Sequence, residues 1–329
     1  MGSLRLSPFF AVNQRKETAM QSIKDTYQRI TDAIIEQLEA GTKPWIRPWR
    51  GNSRGSLVPR RATGEAYRGI NVLMLWLASE LAGYEENTWM TYRQAQDLGG
   101  QVRKGEKGAL VVKYGTFTPK EREDDDERAI PYLKGYTVFN VEQIENLPDR
   151  FYRPVDELPA TPVPHLETIE IFVRNTGAAI TYGGTTACYR PAPDDILMPD
   201  RARFVDEVHL YSTLLHEMSH WSGAKPRLDR DLSGRFGSES YAVEELVAEL
   251  SASFLCADLG VAHDPRDNTA TYLESWLKAL KNDKRAIITA AAKAQAAADY
   301  LHGLQKLKEE SRAAERPTST LVSATVGES

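Results

Sequence analysis

The stretch Tyr211-Ser212-Thr213-Leu214-Leu215-His216-Glu217-Met218-Ser219-His220-Trp221 decides how the second half of the chain is interpreted. It contains the pattern H-E-x-x-H. On a helix of 3.6 residues per turn, His216 and His220 project from one face, where both imidazoles can bind one Zn²⁺, and Glu217 stands beside them as a general base. Apolar residues fall on the opposite face: Tyr211, Leu214, Met218 and Trp221. One side of this helix is therefore expected in a core and the other in a cleft.

A second, acidic helix is predicted downstream, at residues 241–250. Glu245 and Glu249 lie four positions apart and share one face, which is lined with Ala and Cys rather than with Lys partners. Two carboxylates at this spacing repel each other unless a cation or a proton donor lies between them. The simplest resolution makes Glu245 the third metal ligand and Glu249 an outer residue that accepts a hydrogen bond from one of the histidines. Glu244 or Glu249 as the ligand is the alternative.

This pair of helices resembles the gluzincin metallopeptidases, whose ligand Glu opens an E-x-x-x-D/E pattern on the helix after H-E-x-x-H. The chain has Glu249 where many of them have Asp. The resemblance implies a mostly helical zincin-like domain with a short sheet, whose strand at residues 187–196 would pair with an extended peptide. Tyr241 is a candidate for stabilising an oxyanion. A His₂Glu set favours Zn²⁺, with Mn²⁺ or Co²⁺ as alternatives.

Composition narrows the class of protein. The chain has 329 residues, of which 41% are hydrophobic and 26% charged, as in a soluble protein of two domains. Its net charge of -5 does not suggest a nucleic-acid binder as a whole. Two cysteines, Cys188 and Cys256, form no disulfide framework and fit a reducing cytoplasm. The longest apolar run, residues 70–82, is too short and too polar to span a bilayer, so no membrane partner is expected.

Prolines and caps divide the chain into domains. Ser22-Ile23-Lys24-Asp25 resembles a capping box that starts a helix, and four prolines between 154 and 164 indicate a boundary. The predicted fold class is α+β. Its parts are a disordered leader at 1–19, a small α+β domain at 20–152, a linker at 153–165, a mostly helical zincin-like domain at 166–310 and a disordered tail at 311–329.

Shorter sequence patterns predict individual strands and helices within these domains. Gly105-Glu106-Lys107-Gly108 predicts a hairpin turn between strands at 101–103 and 109–114. Three short strands are expected ahead of the metal helix, at 179–182, 187–190 and 194–199. Residues 268–305 are predicted as one helix, with an Ala-rich later half that suits close packing.

The first domain combines cations with aromatic rings. Residues 41–118 contain twelve Lys plus Arg against six Asp plus Glu. Cations that follow a backbone and rings that stack on bases are the two components of single-strand binding. The alternative is that the rings are core and the charges a solvated face. Trp45 and Trp49 are expected to be the most exposed rings because prolines interrupt their segment, whereas Trp76 is expected in the core. The candidate contacts are Trp45, Arg47, Trp49, Arg50, Arg68, Tyr92, Arg93, Lys104 and Lys107.

An ordered set of motifs resembles plasmid antirestriction proteins of the ArdC type across residues 20–310. The carrying stretches are Lys43-Pro44-Trp45, Pro48-Trp49, Tyr67-Arg68-Gly69-Ile70-Asn71-Val72-Leu73, Trp89-Met90-Thr91-Tyr92-Arg93-Gln94-Ala95, Lys104-Gly105-Glu106-Lys107-Gly108, Val138-Phe139-Asn140-Val141-Glu142-Gln143 and the two zincin motifs. The first region also resembles the N-terminal part of TraC-type primases. The resemblance implies a domain that binds single-stranded DNA, a C-terminal zincin fold and protection of incoming conjugative plasmid DNA from host restriction.

Three hypotheses follow from these motifs. In the first, the N-terminal domain holds single-stranded plasmid DNA while the metal domain cleaves or engages a host protein. In the second, the protein is a DNA-binding shield whose metal site is structural or inactive. In the third, it is a metalloprotease whose first domain binds protein rather than DNA.

Overall fold

The structure, a computed structural model, describes residues 8–46, 57–117, 130–152, 166–235, 238–261 and 269–314. Arg47, Trp49 and Arg50 lie outside these residues, as does the predicted linker at 153–165. Helices and sheets are mixed throughout, which confirms the α+β class. No helix in the described ranges is long and apolar enough to cross a lipid bilayer.

The N-terminal half is built on a four-stranded sheet. Its helices are α1 (Pro8–Glu39), α2 (Ile70–Ala82) and α3 (Tyr92–Asp97), and its strands are β1 (Arg60–Arg61), β2 (Thr88–Met90), β3 (Gln101–Val102), β4 (Ala109–Phe117), β5 (Ile130–Asn140) and β6 (Ile144–Glu145). The main sheet has the order β1-β2-β5-β4, and only its β1–β2 pair is parallel. The apolar helix α2 packs on β4, where the Asn71 amide exchanges two hydrogen bonds with the backbone of Val112, at 2.7 and 2.8 Å.

The predicted hairpin between β3 and β4 is wrong. β3 pairs instead with β6, in a separate two-stranded sheet, and β4 pairs along its whole length with β5. The turn is held by a side chain from elsewhere, because the Gln143 amide donates to Glu106 and to the Lys107 carbonyl, at 2.9 and 3.0 Å. Arg103 N–H in turn donates to the Gln143 carbonyl at 2.9 Å. These bonds direct the chain away from a tight hairpin.

The C-terminal half places a small sheet beside a group of helices. Its elements are α4 (Leu166–Thr176), β7 (Ala179–Tyr182), β8 (Cys188–Arg190), β9 (Asp195–Met198), α5 (Glu207–Ser222), α6 (Glu239–Leu259), α7 (Thr269–Asn282) and α8 (Ala286–Ala314). The three predicted strands are confirmed, in the order β7-β9-β8 with β8 antiparallel to β9. Helix α6 packs against α5, α7 and α8, and most of its residues are buried. Ala290, Ala291 and Ala294 are among the buried small residues that let α8 approach closely.

Three predicted helix limits are wrong. Helix α1 begins at Pro8, so residues 8–19 are not an unstructured leader; Pro suits the first helical position, and most of residues 14–20 are good helix formers. Helix α8 continues to Ala314, into the predicted tail. Residues 268–305 form two helices rather than one. The break occurs where the Asp283 carboxylate accepts from Arg285 N–H at 2.9 Å and the Lys284 carbonyl accepts from Thr31 at 2.6 Å.

The two halves share one hydrophobic core. Buried residues of α1, α2, α6, α7 and α8 belong to a single cluster. The Trp76 ring of α2, which is core as predicted, lies 5.9 Å from Phe254 of α6. At Gly69, the backbone N–H donates to Gln295 of α8 at 2.9 Å. A second, smaller cluster fills the space between α3, β3 and β6.

Candidate metal centre

Helix α5 holds the two histidines at the boundary between core and cavity. It starts at Asp206, whose carboxylate accepts from the N–H of His209 at 2.9 Å, a cap that satisfies one free donor of the first turn. The side of the helix that was predicted to be apolar is buried, including Leu214 and Met218. About three and four turns after Asp206, His216 and His220 face α6 and the cavity.

Three side chains converge as a ligand set. The Nε2 atoms of His216 and His220 are 3.1 Å apart, and the Glu245 carboxylate lies 3.6 Å from the first and 3.4 Å from the second. Two nitrogens bound to one Zn²⁺ at about 2.0–2.1 Å in a tetrahedral site lie roughly 3.3 Å apart. The observed separations therefore fit one divalent cation. Of the three glutamates considered for the third ligand, Glu245 is the one that approaches both Nε2 atoms.

Each histidine also meets a separate outer carboxylate. Nδ1 of His216 lies 3.4 Å from Glu249, an ion-pair distance without the geometry of a hydrogen bond. Nδ1 of His220 is hydrogen-bonded to Glu244 at 3.3 Å. Carboxylates in these positions fix the orientation of the rings and leave Nε2 free for a cation. Glu249 thus lies beside His216, but without the hydrogen bond that was expected of it.

The outer position of Glu244 was missed from the sequence. It is held there by Arg230, whose buried guanidinium donates to Glu244 at 2.8 Å and to the Ser219 carbonyl at 2.6 Å. A signal was available in the adjacent pair Glu244-Glu245. Neighbouring helical residues point about 100° apart, so each carboxylate can address a different histidine.

The charges of the site attract a cation. Burial alone would lower the pKa of His220, but hydrogen bonds with Glu244 and Glu245 outweigh it and raise that pKa to about 10. Burial works to raise the pKa of Glu245, yet contacts with His216 and His220 hold it far below its usual range. Glu217 and Glu249 are also buried at this site. Negative charge that is removed from water in this way favours a bound cation.

Glu217 lies between the metal ligands and the small sheet. Its carboxylate accepts from the backbone N–H of Tyr189 in β8 at 2.9 Å. The cavity measures about 770 Å³ and is lined by the three ligands, Glu217 and residues 185–189 of the strand region. In the described part of the chain, β8 pairs with a strand on one side only, because it lies at the end of its sheet. The predicted peptide-pairing strand therefore borders the cavity.

Two tyrosine hydroxyls stand on the opposite wall. Tyr241 and Tyr272 both line the cavity, and their hydroxyl oxygens are 3.2 Å apart. Burial, the bond with Tyr272 and nearby Glu245 raise the pKa of Tyr241 above its usual value, so this hydroxyl keeps its proton at neutral pH. No local sequence pattern connects Tyr272, which lies on α7, with the metal motif.

The predicted nucleic-acid contacts are not all exposed on the surface. The predicted exposure of Trp45 is wrong: its ring is only 1% exposed because it packs edge-on against Trp276. Arg68 forms an ion pair with Asp299 of α8, so part of its charge is compensated within the protein. The other candidates within the described ranges are exposed on the N-terminal half: Tyr92, Arg93, Lys104 and Lys107.

Comparison with known proteins identifies both halves. Residues 24–139 match the N-terminal domain of anti-restriction factor ArdC, and residues 167–293 match a zincin-like metallopeptidase. The metal-free crystal structure of the antirestriction ArdC protein from plasmid R388 is 46% identical, with a TM-score of 0.74, and the match covers 86% of this chain and 98% of that one. The chain belongs to the ArdC antirestriction family.

Other members and relatives extend the match. The Mn(II)-bound structure of the R388 protein is 48% identical with a TM-score of 0.71, over 85% of this chain and 97% of that one. The uncharacterized protein y4eC of Sinorhizobium fredii is 45% identical over 87% of this chain and 94% of its own length. A DNA primase TraC of Escherichia coli is 38% identical over 87% of this chain, which spans 20% of the primase. The likeness to TraC thus covers both halves, beyond the first region predicted.

Family membership confirms the predicted ArdC-type resemblance and the zincin-like fold. A zincin-like domain with this ligand set indicates a divalent metal. Because the R388 relative was solved with Mn(II), membership in the ArdC family does not by itself select zinc.

Proposed function

We propose that this chain is an antirestriction protein that binds single-stranded DNA and protects incoming conjugative plasmid DNA, and that its metal centre is a zinc-dependent peptidase acting on a host protein. The observation that carries the peptidase half is the convergence of His216, His220 and Glu245 within 3.1 to 3.6 Å beside Glu217 in an open cavity. Zinc is the proposed metal because His₂Glu sets are typical of catalytic zinc sites.

The side chains around the cavity have complementary roles in peptide hydrolysis. When bound, the cation supplies Lewis acidity that polarises a carbonyl and activates water. Glu217 is the proposed general base, and the Tyr189 N–H keeps its carboxylate at the cavity wall. Tyr241 is the proposed donor to the developing oxyanion. In the described part of the chain no strand pairs with the outer side of β8, so an extended substrate could add there as a further strand.

The N-terminal half offers exposed cations and rings to a nucleic-acid strand. On the β4–β5 pair, Lys113 and Lys134 stand directly opposite each other, and both are exposed. Like charges across a strand pair destabilise the sheet unless an anion lies between them. Tyr114, beside Lys113, is 65% exposed and presents a ring for stacking. Together with Tyr92, Arg93, Lys104 and Lys107, these residues support binding to a phosphate backbone with unpaired bases.

The plasmid role rests on the relatives. One is an antirestriction protein of plasmid R388 and another is a DNA primase TraC, so the similar proteins act in antirestriction and on DNA. A protein that holds single-stranded DNA as a plasmid enters a cell would act before the host can restrict it. The proposed partners are therefore single-stranded DNA and a host protein.

The decisive test changes Glu217 to Gln and measures plasmid protection, metal binding and DNA binding. We expect metal and oligonucleotide binding to persist, while protection falls because proton transfer is lost; general bases contribute roughly 10²–10⁴-fold to rate. Glu207→Gln, an exposed glutamate on the same helix, is the matched control and should protect fully. Full protection by Glu217→Gln would instead assign the protein as a DNA-binding shield with a structural metal site.

A second measurement tests the DNA half. Fluorescence anisotropy with a labelled single-stranded oligonucleotide at two salt concentrations should show binding that weakens at higher salt, because phosphate contacts release counterions. Failure to bind any oligonucleotide would favour a metalloprotease whose first domain recognises protein.

A further inference from the structure

A row of aromatic rings connects the N-terminal half with the metal centre. Trp45 follows α1 and meets Trp276 of α7 edge-on, with ring centroids 5.6 Å apart and planes at 71°. Trp276 stacks on Tyr272 at 5.9 Å and 21°. Tyr272 meets Tyr241 at 6.1 Å, and their hydroxyls are 3.2 Å apart. Four rings thus lead from a residue far away in the sequence to the wall of the metal cavity.

The row ends on a metal ligand. Tyr241 and Glu245 lie one turn apart on α6, so their side chains share a face, and both line the cavity. The nearby Glu245 carboxylate helps to raise the pKa of the Tyr241 hydroxyl, as expected for side chains on the same face of the helix. In addition, the indole N–H of Trp276 donates to the Ala242 carbonyl at 2.9 Å, which fixes the first turn of the ligand helix. Trp276 therefore acts on α6 both directly and through the two tyrosines.

Trp45 holds the outer end of the row by packing alone. It is 1% exposed, and its indole N–H finds no acceptor among the described residues. Dispersion contacts therefore hold the Trp45 ring against Trp276 and limit the space into which Trp276 can move. Lys43, two residues before Trp45, lies near the metal centre. Burial lowers its pKa, and the charge of the Glu249 carboxylate opposes that change. Loss of the Trp45 ring would leave space into which Trp276 can move.

We propose that Trp45 is a positioning residue of the metal centre. Through Trp276, Tyr272 and Tyr241 it fixes the orientation of the Glu245 carboxylate. Affinity for the cation therefore depends on a side chain of the N-terminal half. The inference rests on the proposed ligands but not on peptide cleavage, because metal affinity is the quantity it predicts.

The chain offers a closely matched control in Trp89. This residue is also 1% exposed, its indole N–H also lacks an acceptor in the described part, and it meets Tyr84 edge-on at 5.8 Å and 75°. Among the described residues, its ring contact is with Tyr84 and does not lead to the metal ligands. Trp45→Leu and Trp89→Leu should therefore lower the unfolding temperature of the metal-free protein to a similar extent.

Only the first substitution should weaken metal binding. We expect Trp45→Leu in the full chain to raise the dissociation constants for Zn²⁺ and Mn²⁺ by about threefold to tenfold, less than loss of a direct outer partner. Competition with a fluorescent chelator measures these constants. If Trp45→Leu does not fold, Trp45→Phe and Trp89→Phe replace the pair. Equal losses in both variants, or no loss in either, would overturn the proposal.

A double-substitution cycle separates positioning from general destabilisation. Tyr272→Leu interrupts the same row, so it should weaken metal binding too, and combining it with Trp45→Leu should add little further loss. Independent, additive losses would show that the rings do not act in series. If the unchanged protein binds no cation, the ligand assignment fails together with this inference. If it binds a cation that Trp45→Leu does not weaken, this inference alone fails.

Discussion

The metal centre and the middle of the β4–β5 pair carry charge in opposite ways. At the metal centre each charged group is buried and partnered: Glu244 with Arg230, and Glu249 with His216. At the strand pair, Lys113 and Lys134 face each other on the surface. A buried network is already arranged for one small cation and is little affected by salt, whereas exposed like charges suit a long polyanion and are readily screened. We therefore expect the two regions to bind ligands of opposite sign.

Removal of a metal ligand is expected to have the largest effect, and it should affect the metal centre alone. His216→Ala should weaken binding of Zn²⁺ and Mn²⁺ by more than about a hundredfold, since loss of an outer partner alone costs 10–100-fold. Binding of a single-stranded oligonucleotide should not change. The control is His209→Ala, on the same helix and at the same cavity but paired with Asp206. Unchanged metal affinity in His216→Ala, measured by chelator competition, would remove the ligand assignment.

The pH dependence of metal binding tests the charge state that is assigned to the metal centre. In the metal-free protein the pKa of His220 is raised from 6.5 to about 10. The charged His220 ring therefore stabilises the folded, metal-free protein. This stabilisation is fully present below about pH 6.5 and is lost as the pH rises toward 10. A cation needs the neutral ring, so binding releases a proton, and affinity should rise about tenfold per pH unit between about pH 6.5 and 8.

Proton release can be measured directly by titration calorimetry in buffers of different ionisation enthalpy. A metal affinity that is flat across this range would contradict the assigned protonation of His220.

The outer carboxylates should have a smaller effect than a ligand. Glu249→Gln and Glu244→Gln should each weaken metal binding by about 10–100-fold, because each removes the charge that orients one imidazole. Glu244→Gln should also lower the unfolding temperature, since it leaves the buried Arg230 guanidinium without its carboxylate. Glu239→Gln, an exposed residue at the start of the same helix, is the control. Equal affinity in all three variants would show that Glu244 and Glu249 do not support the histidines.

The smallest expected effect is on the DNA side. Lys113→Glu should weaken oligonucleotide binding by severalfold and reduce the slope of log affinity against log salt by about one. Lys278→Glu makes the same change at an exposed lysine of α7 and should leave binding unaltered. Metal affinity should be equal in both variants. An identical salt slope in Lys113→Glu and the unchanged protein would exclude this strand pair from the DNA-binding surface.

The parts of the site that were predictable from sequence depend on local geometry. The spacing of His216 and His220 sets their common face whenever the segment is helical, and the same periodicity places Glu245 on the facing side of α6. Trp45 was misjudged because nearby prolines suggested an exposed segment, while the ring that buries it is Trp276, more than two hundred positions away. Arg230 was missed for the same reason, since a single arginine in a loop carries no periodicity.

The fold shows the same limit. The strands β7, β8 and β9 were predicted from sequence patterns that depend on neighbouring residues alone. The pairing of β3 with β6 was not, because the Gln143 side chain that holds the turn comes from a distant segment. The break between α7 and α8 also depends on a distant contact, from Thr31 to the Lys284 carbonyl.

Because the two halves share one hydrophobic core, cutting the chain into two fragments would expose apolar surface on both. A fragment that ends after β6 would present Trp45 and Trp76 to water, and its complement would present Trp276 and Phe254. Each fragment would then expose an apolar patch and would be prone to aggregate. Assignments of activity to one half are therefore better made by point substitution than by truncation.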